Sequence, residues 1–111
     1  MVYKSIIAMV KPNLTDTVVD SAKNAGARGA TIIPASGTGA HEAKTFFGLS
    51  LDVRTDVVLF VVGSELVEPV LSAIKNAGRF NEPGTGIAFV LAIEQTAGFE
   101  SQQSREKAPT P

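Results

Sequence analysis

The sequence contains no cysteine and no tryptophan, and it has one histidine and one tyrosine. The absence of cysteine excludes disulfide bonds, thiolate metal sites and cysteine nucleophiles. Apolar runs are too short for a signal peptide or a membrane span, so we expect a cytoplasmic protein without direct membrane insertion. The formal net charge of -1 at pH 7 gives no attraction to nucleic acid, which we do not expect as a partner.

The composition predicts one compact domain and a short tail. The chain has 111 residues, of which 44% are hydrophobic, enough for a single domain with a modest core. We assign this domain to residues 1–96. Residues 97–111 are polar and end in proline, which predicts a flexible C-terminal tail.

Hydrophobic periodicity predicts four strands and two helices. The strands are expected at residues 5–10, 28–36, 56–63 and 87–93, and the first helix at residues 13–25. The second helix is expected to end at residue 77 and to begin either at Ser64 or a few residues later, because Pro69 about a turn inside would cost a backbone bond. Asn13 and Thr15 are candidate caps of the first helix and Ser64 of the second, while Gly26 and Gly78 follow the helix ends. The order strand, helix, strand, strand, helix, strand is typical of the ferredoxin-like α+β sandwich, an antiparallel sheet with two helices on one face.

Two short motifs occur twice in the chain. Lys-Asn-Ala-Gly stands at 23–26 and 75–78, and Gly-Thr-Gly stands at 37–39 and 84–86. A duplicated half with pseudo-two-fold symmetry would produce this pattern, although matches of this length also arise by chance.

The connection between strands two and three, residues 37–55, is far longer than a hairpin requires. Long loops in compact domains are usually either functional or disordered, and we predict that this loop is functional. Phe46 and Phe47 either pack against the domain or anchor a partner, and we expect one to point inward and one outward. The candidate contact residues are His41, Glu42, Lys44, Phe46, Phe47 and Arg54.

Several segments together resemble the P-II nitrogen regulatory signalling proteins. They are Ile-Ile-Ala-Met-Val-Lys-Pro at 6–12, Ala-Gly-Ala-Arg-Gly-Ala-Thr-Ile at 25–32 and the two Gly-Thr-Gly motifs, in the family's order over residues 3–96. The resemblance implies a homotrimer with an adenine nucleotide (AMP, ADP or ATP) between subunits. It also implies regulation of a transporter or enzyme through the 37–55 loop, with no covalently bound cofactor and no catalysis.

The same resemblance implies a set of nucleotide-binding residues. The glycines either bring backbone N–H groups against the nucleotide or only permit turns. Lys11 is either a ligand contact or an ordinary strand terminus, and Arg79 is a better substitute phosphate contact than Arg28, which enters a strand. The set comprises Met9, Lys11, Gly37, Thr38, Gly39, Val62, Arg79, Gly84, Thr85 and Gly86.

The chain also departs from the family's pattern, and most departures remove a cation. The second glycine loop typically reads Gly-Asp-Gly-Lys, but here Gly84-Thr85-Gly86 is followed by Ile87. The arginines after the last strand are absent, and Ala40-His41 replaces the usual Arg-Gln. Each lost charge-assisted bond to phosphate is worth about 1.5 to 3 kcal/mol. We therefore expect a triphosphate to be disfavoured more than a mononucleotide.

The alternative function is a divalent-metal-binding trimer resembling the cation tolerance proteins, which share this plan. His41 and Glu42 offer an imidazole and a carboxylate, both suited to divalent ions. A metal site needs more ligands than this pair supplies, and polar loop residues are usually solvated.

Overall fold

Eight regular elements make up the part of the chain that the structure, a computed structural model, describes: residues 2–36, 45–46, 49–50 and 54–99. For residues 45, 46, 49 and 50 only the backbone is described. In chain order the elements are β1 (Tyr3–Val10), α1 (Thr15–Asn24), β2 (Thr31–Ser36), β3 (Thr45–Phe46), β4 (Leu49–Ser50), β5 (Arg54–Gly63), α2 (Val67–Ala77) and β6 (Gly86–Ala92).

Four strands form one antiparallel sheet in the order β2-β5-β1-β6. The helix α1 connects β1 to β2, and α2 connects β5 to β6. The predicted ferredoxin-like α+β fold is therefore confirmed. Strands β3 and β4 pair with each other as a separate two-stranded ladder inside the long connection, a feature that the hydrophobic periodicity did not predict.

Each helix begins through a single 3-10 turn, Pro12–Leu14 before α1 and Ser64–Leu66 before α2. The predicted capping by Asn13, Thr15 and Ser64 is wrong, because neither helix has a side-chain cap hydrogen bond. Backbone carbonyls serve instead, as where the Leu14 N–H donates to the Lys11 carbonyl over 2.8 Å. Such 3-10 bonds satisfy N–H groups that a cap would otherwise bind.

The core lies between the helices and one face of the sheet. Alternate residues of β1 and β5 point into it, since successive strand residues face opposite sides. Phe60 is the largest fully buried side chain, and it is 1% exposed. The buried apolar set comprises Ile6, Ala8, Val10, Val18, Val19, Ala22, Ala27, Val58, Phe60, Val62, Val70 and Ile74.

The opposite face of the sheet is apolar and has no layer over it among the described residues. Cross-strand partners share a face, and the register aligns Ile7 with Leu59 and Phe89 on this side. Ile33, Val61 and Leu91 are 45%, 45% and 48% exposed. We call this surface the outer face; its large apolar residues are Ile7, Met9, Ile33, Val57, Leu59, Val61, Ile87, Phe89 and Leu91.

The chain after β6 returns to the start of β1. The rings of Tyr3 and Phe99 meet edge to face with centroids 4.7 Å apart, a favourable aromatic geometry. The Ser64 N–H also donates to the Val2 carbonyl over 2.9 Å at this end of the sheet. The remainder of the predicted tail, residues 100–111, lies outside the described residues.

Candidate functional site

One end of the sheet brings together segments that are distant in the sequence. Val10, the last residue of β1, pairs with Asp56 on one side and with Gly86 on the other. Ser36 pairs with Arg54 at the same end. The long connection, which leaves from β2 and re-enters at β5, and the turn that precedes β6 therefore lie at the same end of the sheet, with β1 between β5 and β6. We call this part of the molecule the loop end.

The turn between α2 and β6, residues 78–86, is fixed by one buried hydroxyl. Thr85 is 7% exposed, and its Oγ1 lies 2.5 Å from the Arg79 carbonyl oxygen and 2.8 Å from that of Glu82. The Glu82 N–H also donates to the Arg79 carbonyl over 2.9 Å. The Thr85 hydroxyl proton is thus shared within the turn, so this side chain organises the backbone.

Phe80 fills the space that two glycines leave open. A Cβ atom on Gly78 or on Gly86 would overlap the Phe80 ring, and a Cβ on Gly86 would also lie 2.7 Å from the Met9 carbonyl oxygen. Gly84, by contrast, has a φ of 77°, a conformation that glycine adopts without steric cost. The glycines of this turn therefore serve two different physical needs.

Two cations stand beside this turn. Lys11 follows Val10 and Thr85 precedes Gly86, so each lies one residue beyond the Val10–Gly86 pair that ends the β1–β6 ladder. Arg79 is joined to Thr85 by the hydrogen bond to its carbonyl. Both side chains are exposed, and neither has a hydrogen-bond or ion-pair partner among the described residues. Their charges are available to an anion bound at this turn.

The re-entry point of the long connection is attached to β1 and α1 by two threonines. The Thr55 hydroxyl, on a residue 6% exposed, donates to the Val10 carbonyl over 3.0 Å. The Thr15 hydroxyl donates to Oδ2 of Asp56 over 2.6 Å. Sequence reasoning missed both bonds, because no local pattern indicates contacts between residues 41 and 45 positions apart. It also missed the packing of Phe80 against Gly78 and Gly86.

The other predicted nucleotide-binding residues do not all lie at the loop end. Met9 lies on the outer face, paired with Val57 and Ile87 near the loop end. Val62 pairs with Lys4 at the opposite end of the sheet and is buried in the helix-covered core, so the fold does not bring it to the other candidates within one chain. Gly37, Thr38 and Gly39 lie outside the described residues.

Most predicted partner contacts also fall outside the described residues, namely His41, Glu42, Lys44 and Phe47. Phe46 is described in its backbone, as part of β3. Arg54 begins β5 at the loop end and is exposed.

Two further features of the described residues concern metal binding and membrane insertion. In the described ranges, no three histidine, aspartate or glutamate side chains come together as metal ligands would. His41 and Glu42, on which the metal alternative rests, lie outside the described residues, so that alternative stays a prediction. Neither of the two helices there is long and apolar enough to cross a membrane.

Known proteins resemble this chain over nearly its whole length. The family model described as nitrogen regulatory protein P-II matches residues 3–102. A nitrogen regulatory protein P-II of Bradyrhizobium diazoefficiens is 30% identical over 106 residues, covering 91% of this chain and 95% of the relative. That of Rhodobacter capsulatus is 27% identical over 110 residues, covering 95% and 98%.

A solved structure agrees with the sequence relatives. The Arabidopsis thaliana PII structure, described as bound to citrate, superposes with a TM-score of 0.64 at 26% identity, covering 83% of this chain and 78% of that one. The fold and the matched length agree. The chain belongs to the nitrogen regulatory protein P-II family, whose members act as signal-transduction regulators rather than as enzymes.

Proposed function

We propose that this chain is a cytoplasmic P-II-type regulator that binds an adenine nucleotide between the subunits of a homotrimer. The observation that carries the proposal is the loop end, where Lys11, Arg79 and the glycine turn lie at the same end of the sheet as both ends of the 37–53 connection. A ligand held there would lie at the end of the sheet from which the loop leaves. Its binding energy would then favour one loop arrangement over another.

The outer face supports the trimer. Nine large apolar side chains lie on this surface, and three of them are 45% to 48% exposed. Apolar surface of this kind on a single chain is typical of a subunit contact. A second and a third copy would cover it and bring their loop ends close to neighbouring subunits.

The charges at the loop end favour a ligand with few phosphates. Lys11 and Arg79 are the unpartnered cations beside the described turn, and the exposed Glu82 in the same turn opposes them. Two cations match the charge of a monophosphate better than that of a triphosphate. We propose AMP as the preferred effector over ATP, with a transporter or enzyme as the protein addressed by the loop.

Isothermal titration calorimetry of the full-length protein against AMP, ADP, ATP and a cyclic dinucleotide tests the effector. We expect AMP to bind with higher affinity than ATP. Hydrogen exchange of residues 37–53, measured with and without AMP, tests the coupling to the loop, and we expect slower exchange with AMP. Absence of binding by every adenine nucleotide would contradict the proposal.

A further inference from the structure

The two helices end in the same four residues, Lys-Asn-Ala-Gly, and the first end uses its glycine in the usual way. At the end of α1, Ala25 has a φ of -86° and Gly26 has a φ of 126°. The Ala27 N–H then returns to the Ala22 carbonyl over 3.0 Å. Glycine takes the positive φ at this position because it has no side chain to collide with the backbone.

The end of α2 is shifted by one residue although the four residues are the same. Gly78 has a φ of -82°, and the positive φ of 57° falls on Arg79. The Phe80 N–H returns to the Lys75 carbonyl over 3.0 Å, the same closing bond as at α1. Arg79 is the one non-glycine residue with positive φ among the described residues, in a conformation that is unfavourable for side chains with a Cβ.

Packing explains why Gly78 is a glycine, but it does not explain Arg79. A Cβ on Gly78 would overlap the Phe80 ring and lie 3.1 Å from the Ile74 carbonyl oxygen. The Arg79 side chain is exposed and has no polar partner in the described part of the chain. Glycine at position 79 would therefore remove the unfavourable positive φ without losing any described polar contact of the side chain.

The backbone of Arg79 is nevertheless held firmly at the loop end. Its carbonyl accepts hydrogen bonds from the Glu82 N–H and from the buried Thr85 hydroxyl. Thr85 and Lys11 each lie one residue beyond the Val10–Gly86 pair that ends the β1–β6 ladder. The Arg79 side chain thus extends from a backbone held by hydrogen bonds. Lys11, a second cation without a described partner, lies at the same end of the sheet.

We infer that Arg79 is the residue that binds the phosphate group of the effector, and that its unfavourable backbone conformation is retained for this contact. The inference rests on the proposed nucleotide function. A guanidinium presents a planar fork of donors that matches two phosphate oxygens. Strained residues commonly occur at ligand sites, where function outweighs local stability.

The test compares R79G, R79K and the control K75Q, which removes an exposed cation of α2 and leaves the turn intact. We expect R79G without ligand to melt roughly 2 to 6 °C higher than the wild type, because glycine relieves the positive φ. Its affinity for AMP should fall about tenfold or more, while its affinity for adenosine stays unchanged. R79K should keep the wild-type melting temperature and part of the AMP affinity, and K75Q should match the wild type in both.

The outcomes separate this inference from the function on which it rests. Wild-type AMP affinity in R79G, or an equal loss of adenosine affinity, overturns the inference and leaves the proposed function standing. If the wild type binds no adenine nucleotide, inorganic pyrophosphate is titrated into the wild type and R79G. Binding by the wild type alone retains Arg79 as an anion contact and rejects the nucleotide effector. Equal binding, or no binding by either protein, rejects Arg79 as well.

Discussion

Gly86 shows how tightly the turn before β6 is packed at the level of single residues. It lies at the start of a strand, between the Phe80 ring and the Met9 carbonyl. From the sequence, Gly84-Thr85-Gly86 suggested a glycine-rich ligand loop or an ordinary turn. The structure adds a third reason for Gly86, because its missing side chain makes room for an aromatic ring.

Gly86→Ala should therefore destabilise the protein by about 1–3 kcal/mol, the usual cost of forcing extra atoms into a packed site. Gly29→Ala is the matched control, since a Cβ there meets nothing within 4 Å and Gly29 has no positive φ. That variant should be unchanged or more stable by about 0.4–1 kcal/mol. Urea denaturation of both variants measures the difference, and equal stability of the two would refute this account of Gly86.

At the scale of elements, the sequence predicted what depends on periodicity. Apolar residues in β1 and β5 predicted strands, and the apolar stripe of α2 predicted a helix with one face on the sheet. These predictions succeed because burial repeats with a regular period along each element. The caps were wrong because tertiary contacts decided them: Thr15, a plausible cap, bonds to Asp56 in another element. Contacts between segments far apart in the chain, such as the bond from the Thr55 hydroxyl to the Val10 carbonyl, leave no local signal.

The Thr15–Asp56 bond should couple the start of α1 to the start of β5. Thr15→Val is expected to lower the free energy of unfolding by about 1.5–3 kcal/mol, as for a hydrogen bond to a charged group. In a double-mutant cycle with Asp56→Ala, the two effects should be non-additive by a similar amount. Thr17→Val, an exposed position of the same helix, should change stability by less than about 0.5 kcal/mol. Additive effects of Thr15→Val and Asp56→Ala would show that the bond contributes nothing.

At the scale of the whole molecule, the sheet has one covered and one uncovered face. The near-continuous apolar sequence of strands such as β5 predicts burial on both faces of the sheet. A single chain, however, supplies helices to cover only one of these faces. The register assigns Val61 to the uncovered side and Val62 to the core. Sequence composition alone could not assign these neighbours to opposite faces, because both are valine.

Val61→Glu tests the proposed trimer. A carboxylate within an apolar subunit contact would lose its hydration without gaining a partner, so we expect light scattering to report a single-chain mass in place of the trimer. Ser72→Glu adds the same charge on the exposed side of α2 and should remain trimeric. A Val61→Glu protein that keeps the wild-type trimeric mass would argue against this face as the contact.

The contact between Phe99 and Tyr3 determines how the protein can be presented in a binding assay. Tyr3 and Val10 are at opposite ends of β1, about 23 Å apart at the rise of an extended strand. Phe99 therefore lies at the end of the sheet that is remote from Lys11 and the glycine turn. Immobilising the protein on a sensor surface through its C-terminal residues should leave the loop end facing the solution, whereas coupling through Lys11 would obstruct it.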